Sequence, residues 1–245
     1  MAAGKERDMN AQAERFVEEL RQAFAERLRS VVLHGSVARG EAVPKVSDVN
    51  LLVLLDDVDA AALRTAGPLA RRWARAGNTA PLLLSWDEWL RSADAFAIEV
   101  ADMKDARNVL HGDDAVKDLV VDRRELRLQA ERELRGKLVQ LRSGLLVTAE
   151  RPAEVGRLLL SALPSFTTYA RAVLRLHGEA VPDTTPAVLD RAAALVETDA
   201  EPMHTAWQAR TSGNAHDWPV DSPIVHGYYT FAEKTADHVD RLPED

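Results

Sequence analysis

The segment GSVARG, residues 35–40, directly follows an apolar run at 31–33, and its residue types suit the binding of phosphate groups. Gly35 lets the backbone approach a ligand closely, and the amides at the start of a following helix attract phosphate oxygens. The Ser36 hydroxyl can donate one more hydrogen bond, and Arg39 can add a charged donor. The segment therefore predicts a strand, a tight turn and a short helix that together bind phosphate.

Asp48 and Asn50 stand two residues apart at the start of a second apolar run. Alternate residues of a strand project from the same face, so both side-chain oxygens could reach one metal cluster. Mg²⁺ is a hard cation that proteins usually hold with one or two carboxylates plus substrate phosphates. The amide oxygen of Asn50 can coordinate the ion, although it brings no negative charge. The pair predicts a site for Mg²⁺ or Mn²⁺.

A third acidic ligand is expected on a nearby strand, and Glu99 is the first candidate. Large apolar residues alternate in the stretch 96–101, which predicts a strand with Glu99 between Ala97 and Ala101 on the opposite face. A carboxylate inside a strand is costly unless it meets a metal or a hydrogen-bond donor. Asp102, at the end of this predicted strand, is the second candidate, and it could instead cap the following segment.

The apolar patterning of the first half predicts a small α/β domain that positions these residues. An apolar residue recurs every fourth position from Phe16 to Leu28, which predicts an amphipathic helix before the first strand. Strands are predicted at 30–33, 49–55, 82–84 and 96–100. The second of them is apolar at both alternating sets and is expected to be buried on both faces. Asp59 is expected to cap a helix that runs through 63–76, and the domain is predicted to end near Asp118.

Helical patterns replace strand patterns from residue 121 onward. One face of a long predicted helix carries Leu126, Leu134, Leu138, Leu141 and Leu145. Further helices are predicted at 153–177, 187–196 and 224–239. Pro164 is expected to break or kink the first of these three, Arg171 to lie on the surface and His177 to end the helix. The region 119–245 is therefore predicted to be an all-helical bundle.

Composition restricts the class of protein. The chain has 245 residues, no cysteine and a formal net charge of −8 at pH 7. The absence of cysteine rules out disulfides and thiolate metal sites, and the charge argues against broad binding to DNA or RNA. The first 16 residues lack the apolar core of a signal peptide, and no run approaches the ~20 apolar residues that span a membrane. A soluble, cytoplasmic protein is predicted, and homo-oligomerisation is left open.

The segments GSVARG (35–40) and SDVN (47–50) together closely resemble the signature of the nucleotidyltransferase superfamily. That superfamily includes DNA polymerase beta, the antibiotic adenylyltransferases and the small bacterial MNT proteins. Its pattern is Gly-Ser, a spacer, then Asp-x-Asp or Asp-x-Glu, and Asn50 stands here in place of the second acid. The segment RNVLHG (107–112) also looks like the one that follows the third acid in the antibiotic adenylyltransferases. The resemblance implies an α+β fold, with a small mixed-sheet nucleotidyltransferase domain at 1–118 and a helical domain at 119–245 that helps to bind the acceptor.

The resemblance also implies an activity. The enzyme would transfer a nucleoside monophosphate from an NTP, expected to be ATP, to a hydroxyl of a small molecule or protein, and would release pyrophosphate. Asp48, Asn50 and Glu99 would be the catalytic, metal-holding residues. The nucleotide would be bound by Gly35, Ser36, Arg39 and Ser47. Asn50 predicts weakened turnover, and two alternatives remain: an inactive nucleotide-binding sensor and an antitoxin-like interaction protein.

Overall fold

The computed structural model describes residues 2–43, 47–213 and 216–243, with side chains described from residue 9 onward. The chain divides into two compact units, Met1–Val121 and Asp122–Asp245. The predicted boundary after residue 118 falls within the first unit.

The first unit contains a four-stranded mixed sheet with the strand order β3-β2-β1-β4. The strands are β1 (Leu28–His34), β2 (Asn50–Leu55), β3 (Leu82–Ser85) and β4 (Arg107–Gly112). The α-helices are α1 (Ala2–Phe24), α2 (Gly35–Ala38), α3 (Ala60–Arg75), α4 (Trp86–Arg91) and α5 (Ala97–Asp105). β1 pairs antiparallel with β2 and with β4, whereas β2 pairs parallel with β3. Asp59 caps α3 as predicted, because its carboxylate accepts a hydrogen bond from the Ala62 amide at 2.6 Å.

Separate apolar clusters cover the two faces of the sheet. On one face, α1 and α3 pack against Val31, Leu33, Leu51 and Val53, and the rings of Phe16 and Trp73 stack at 4.5 Å between centroids. On the other face, α4 and α5 contribute Trp89, Val100 and Met103 to a cluster with Val32, Leu52 and Leu54. The prediction that β2 is buried on both faces is confirmed, since residues 51–55 are all buried.

The strand predicted at 96–100 is wrong, because this stretch begins helix α5 (Ala97–Asp105). Its apolar residues alternate, but they also recur at the three- and four-residue spacing of a helix. Ala97, Val100 and Ala101 are buried on one side of that helix. The fourth strand is β4 (Arg107–Gly112), whose sequence carries only two large apolar residues and is mostly exposed or half-buried.

Arg107, the first residue of β4, forms hydrogen bonds with the C-terminal end of α5. Its Nε and Nη2 atoms donate to the Asp114 carboxylate at 2.9 and 2.7 Å, and its Nη1 donates to the Met103 and Lys104 carbonyls at 3.2 Å. The hydrogen bonds from this guanidinium hold the pKa of the Asp114 carboxyl below its ordinary value. α5 is therefore held to the sheet at its C-terminal end by charged hydrogen bonds as well as by its apolar face.

Within its described residues, the second unit contains five helices and no strand. They are α6 (Arg123–Thr148), α7 (Pro152–Leu176), α8 (Thr185–Leu195), α9 (Glu201–Ser212) and α10 (Pro223–Asp240). All five contribute buried side chains to the core, among them Leu134, Phe166, Leu189, Met203 and Phe231. The α+β fold, a small mixed sheet followed by a helical region, is confirmed. None of the helices in the described ranges is both long enough and apolar enough to cross a membrane.

Pro164 lies inside α7 without ending it. A proline cannot donate to the carbonyl four residues earlier, which here belongs to Leu160. Arg210 of α9 supplies the missing donor, with its Nη1 atom 3.0 Å from the Leu160 oxygen. The predicted surface position of Arg171 is wrong: this residue of α7 is only 6% exposed and donates to the Thr185 hydroxyl at 3.3 Å.

We predict that Gly112→Ala destabilises the protein more than Gly77→Ala. Both glycines have positive φ, +70° and +91°, which costs an alanine about 1–2 kcal/mol. At Gly112 the added methyl would also lie 1.8 Å from the Arg29 carbonyl oxygen, whereas at Gly77 nothing lies within 4 Å. The backbone must therefore move at Gly112, which should cost about 1–3 kcal/mol more. Urea unfolding of both variants measures the difference, and equal losses would contradict it.

Candidate functional site

The candidate site begins where β1 and β2 meet at one end of the sheet. His34, the last residue of β1, pairs with Asn50, the first residue of β2. Because side chains alternate along a strand, His34 shares the face of Val32, and Asn50 shares the face of Leu52. That face is the one covered by α5. The sheet therefore directs both polar side chains toward the side on which α5 packs.

Gly35 and Asn50 are in contact, so the predicted phosphate turn lies against the predicted metal site. Gly35 begins α2 with φ +76°, a backbone conformation that glycine adopts without strain. A Cβ atom on Gly35 would lie 2.8 Å from Nδ2 of Asn50. Any larger residue would therefore have to displace the Asn50 amide as well as strain the turn.

Asp48 precedes β2, and a neighbouring loop holds it. Its carboxylate accepts a hydrogen bond from the Thr79 hydroxyl. The next amide, that of Val49, donates to Oδ1 of Asn78 at 3.1 Å. Ser47, the last predicted nucleotide-binding residue, accepts a hydrogen bond from the Val43 amide at 2.9 Å through its hydroxyl. Asp48 is therefore positioned by side chains rather than by the β-sheet ladder.

Sequence reasoning missed Asn78 and Thr79, although the topology explains their location. β3 pairs parallel with β2, with Leu82 opposite Leu52. The residues before β3 therefore lie beside the residues before β2, which include Asp48. The helix predicted through 63–76 and the strand predicted at 82–84 leave a connection at these residues, but its contact with Asp48 follows only from the parallel pairing.

Arg39 forms an ion pair with Asp102 of α5. The Nη2 atom lies 3.4 Å from the Asp102 carboxylate and donates to the Asp102 carbonyl at 3.0 Å. The side chains are only 10% and 17% exposed, so the pair is substantially shielded from water. The structure thus brings the second-choice acid, Asp102, to the predicted phosphate segment.

Glu99 lies on helix α5 and not on a strand as predicted. It precedes Asp102 by three residues, and residues at this spacing are neighbours on one helix face. Glu99 is therefore on the face of α5 that carries the partner of Arg39. Its role as a metal ligand remains a prediction that this placement supports.

His34 is a member of the site that sequence reasoning missed, although it stands directly before Gly35. The pKa of the imidazole is lowered to about 4, mainly by burial and also by the nearby Arg39 guanidinium, against the opposing effects of Asp102 and Asp48. The ring is therefore neutral at neutral pH. It adds a polar group without a second positive charge next to Arg39.

The donor atoms at this end of the sheet fit a hard divalent cation. Asp48 contributes a carboxylate and Asn50 an amide oxygen, and Mg²⁺ is commonly held by one or two carboxylates together with substrate phosphates. Among the described residues, no group of three or more His, Cys, Asp or Glu side chains has the arrangement of a metal site. The Asp48 carboxylate and the Asn50 amide suit an ion that shares its coordination with a bound phosphate.

We predict that the Arg39–Asp102 pair has a coupling free energy of about 1–2 kcal/mol in a double-mutant cycle of Arg39→Met and Asp102→Asn. The matched control is the exposed pair Arg21–Glu18, whose side chains are 57% and 56% exposed. Solvent screening should reduce that coupling to about 0.5 kcal/mol or less. Urea unfolding of the two cycles measures both, and equal couplings would contradict the shielding argument.

Comparison with known proteins agrees with the motifs and the fold. A spectinomycin adenyltransferase from Enterococcus faecialis, solved with ATP and spectinomycin, superimposes with a TM-score of 0.64. It shares 10% sequence identity, and the alignment covers 93% of this chain and 99% of that one, which shows a common fold. No curated protein sequence matches significantly. A family model, the nucleotidyltransferase domain, matches residues 13–142, more than half of the chain. The resemblance seen in the two motifs is thereby confirmed, and the chain belongs to the nucleotidyltransferase domain family.

Proposed function

We propose that this protein is a nucleotidyltransferase that moves a nucleoside monophosphate from an NTP, with ATP as the expected donor, to a hydroxyl group of an acceptor. The observation that carries the proposal is the contact between Gly35 and Asn50. It joins a turn suited to phosphate with side chains suited to a cation. Nucleotidyl transfer needs both next to the same triphosphate.

The residues from Gly35 to Arg39 form the triphosphate end of the proposed site. The first amides of a helix have no partner within the helix, so those of α2 can bind phosphate oxygens together with the Ser36 hydroxyl. Arg39 supplies positive charge, and its ion pair with Asp102 fixes the guanidinium beside this turn. Ser47 is the fourth proposed nucleotide-binding residue, on the segment that leads into Asp48.

Asp48, Asn50 and Glu99 are the proposed ligands of Mg²⁺ or Mn²⁺. When bound, such an ion would neutralise charge on the phosphate oxygens. In the reaction, the acceptor hydroxyl oxygen bonds to the α-phosphorus while the bond from that phosphorus to the bridging oxygen breaks. Pyrophosphate leaves with the electron pair, and the hydroxyl proton is released to solvent. The contribution of the chain is to hold the triphosphate in line for this displacement.

The helical unit is the proposed binding site of the acceptor. The similar adenyltransferase was solved with the small molecule spectinomycin, and its fold matches nearly the whole of this chain. The proposed acceptor is accordingly a small molecule or a protein side chain that carries a hydroxyl. Titration of the isolated protein with candidate hydroxyl compounds in the presence of ATP and Mg²⁺ tests this part.

A second candidate function, nucleotide binding with little or no turnover, is favoured by Asn50. The amide brings no negative charge to a site where two divalent ions would repel each other. Such a protein would retain its phosphate turn and act as a nucleotide sensor. Release of pyrophosphate separates the two candidates, since only the first requires it.

We predict that Asn50→Asp raises metal-dependent release of pyrophosphate from NTPs by about tenfold or more, equivalent to ~1.4 kcal/mol in the activation barrier. The substitution restores the missing charge without changing side-chain length. The assay compares Mg²⁺ with Mn²⁺, and Asp48→Asn should abolish activity in both backgrounds. If the natural protein turns over at a rate that the aspartate variant cannot improve, Asn50 is a competent ligand. No release of pyrophosphate by either form would leave the sensor function as the better proposal.

We predict that Ser36→Leu weakens ATP binding by about tenfold, because the larger side chain removes a hydroxyl donor and obstructs the phosphate turn. Isothermal titration calorimetry measures the affinity. Ser161→Leu, at an exposed position of α7, is the matched control and should leave ATP binding unchanged. Unchanged affinity in Ser36→Leu would remove this turn from the nucleotide site.

A further inference from the structure

The loop between α3 and β3 makes two adjacent contacts with the segment that carries Asp48. The Thr79 hydroxyl donates to Oδ2 of Asp48, and Oδ1 of Asn78 accepts from the Val49 amide at 3.1 Å. One contact holds the side chain of the predicted metal ligand, and the other holds its backbone. We propose that Asn78 and Thr79 are positioning residues that keep the Asp48 carboxylate in place.

Asp48 needs such support because the sheet does not provide it. The pairing of β2 with β1 begins at Asn50, and its pairing with β3 begins at Leu52. Residues 47–49 are outside any strand. The conformation of Asp48 therefore depends on side-chain contacts from the loop before β3, and these are the contacts that Asn78 and Thr79 make.

The loop is itself tied to the hydrophobic core through Trp73. The indole Nε1 atom donates to the Thr79 carbonyl at 2.9 Å, and Nδ2 of Asn78 donates to the Trp73 carbonyl at 3.4 Å. Trp73 is 3% exposed and stacks on Phe16 of α1. Gly77, with φ +91°, lets the chain reverse direction directly after α3. The loop is therefore fixed to the core by Trp73, and it in turn holds residues 48 and 49, which lie outside the sheet.

The hydroxyl of Thr79 has a specific chemical effect on Asp48. A donor on Oδ2 fixes the rotation of the carboxylate and leaves Oδ1 to a cation. A displacement of about 1 Å in a reacting group can reduce turnover about a hundredfold. Loss of this donor should therefore lower kcat strongly while it leaves the free energy of unfolding nearly unchanged.

The experiment compares three variants. Thr79→Val removes the hydroxyl and keeps the shape, whereas Thr79→Ser keeps the hydroxyl and removes a methyl group. Thr65→Val makes the first change at an exposed position on α3 and serves as the control. If Thr79 positions Asp48 through its hydroxyl, only Thr79→Val should differ from the natural protein in amide exchange at Asp48 and Val49 and in kcat.

The first measurement is amide hydrogen exchange of Asp48 and Val49 by NMR in the metal-free, nucleotide-free protein. Thr79→Val should accelerate exchange at these two amides several-fold, with the other two variants unchanged. Equal exchange in Thr79→Val and the natural protein would overturn the proposal. This measurement does not depend on activity, so it decides the positioning role even if the proposed function fails through absence of pyrophosphate release.

The second measurement, kcat and KM for release of pyrophosphate from ATP, applies to the catalytic consequence, which rests on the proposed function. Thr79→Val should lower kcat about a hundredfold with little change in KM. Thr79→Ser should retain most of the activity, and all three variants should unfold at similar urea concentrations. If Thr79→Ser is as impaired as Thr79→Val, the methyl group and not the hydroxyl matters, and the proposal is wrong.

Discussion

The close approach of Gly35 to Asn50 is the constraint on which the arrangement of the site depends. β1 ends and the chain must turn at once into α2, while β2 must start beside it with a polar side chain. A side chain at this position would displace the Asn50 amide, and the positive φ of the turn also favours glycine. Two independent demands, conformation and space, thus fall on one position.

The sheet extends this local constraint to the rest of the unit. Because β1 and β2 are buried on both faces, strand alternation decides which side chains face α5. His34 and Asn50 fall on that side. α5 is held there by its apolar residues, by the Arg39–Asp102 pair and by Arg107 at its end. The charged groups of the site are therefore placed by apolar packing together with their own attraction.

The parts of the fold that were predictable are those in which one local signal dominates. The strand–turn–helix around Gly35 and the doubly buried β2 belong to this class, because a glycine directly after an apolar run favours a turn and a short apolar run bounded by turn residues favours a buried strand. The stretch 96–101 was ambiguous, because its apolar residues fit both the two-residue period of a strand and the three- and four-residue spacing of a helix. β4 carries little apolar signal because it is an edge strand and mostly solvated. Neither case could be decided without the packing partners.

The site residues that lie close together in the sequence could be predicted from their motifs. Residues that are distant in the sequence and meet only in the folded chain were harder to predict. Asp48 and Asn50 were found from their spacing, yet β2 begins only at Asn50. Thr79 reaches the site through a parallel strand pair, which no short motif encodes. Asp102, the second candidate for the third acid, reaches it on a helix and not at the end of the predicted strand. His34 was overlooked because a histidine at a strand end has many ordinary explanations.

In the helical unit, the hydrogen bond from Arg210 to the Leu160 carbonyl has a consequence for how this sequence can vary. Pro164 creates the need for that donor, and Arg210 has no such task where the helix carries an ordinary residue at this position. The two positions should therefore change together among related chains. An arginine on α9 would therefore be retained while the proline persists.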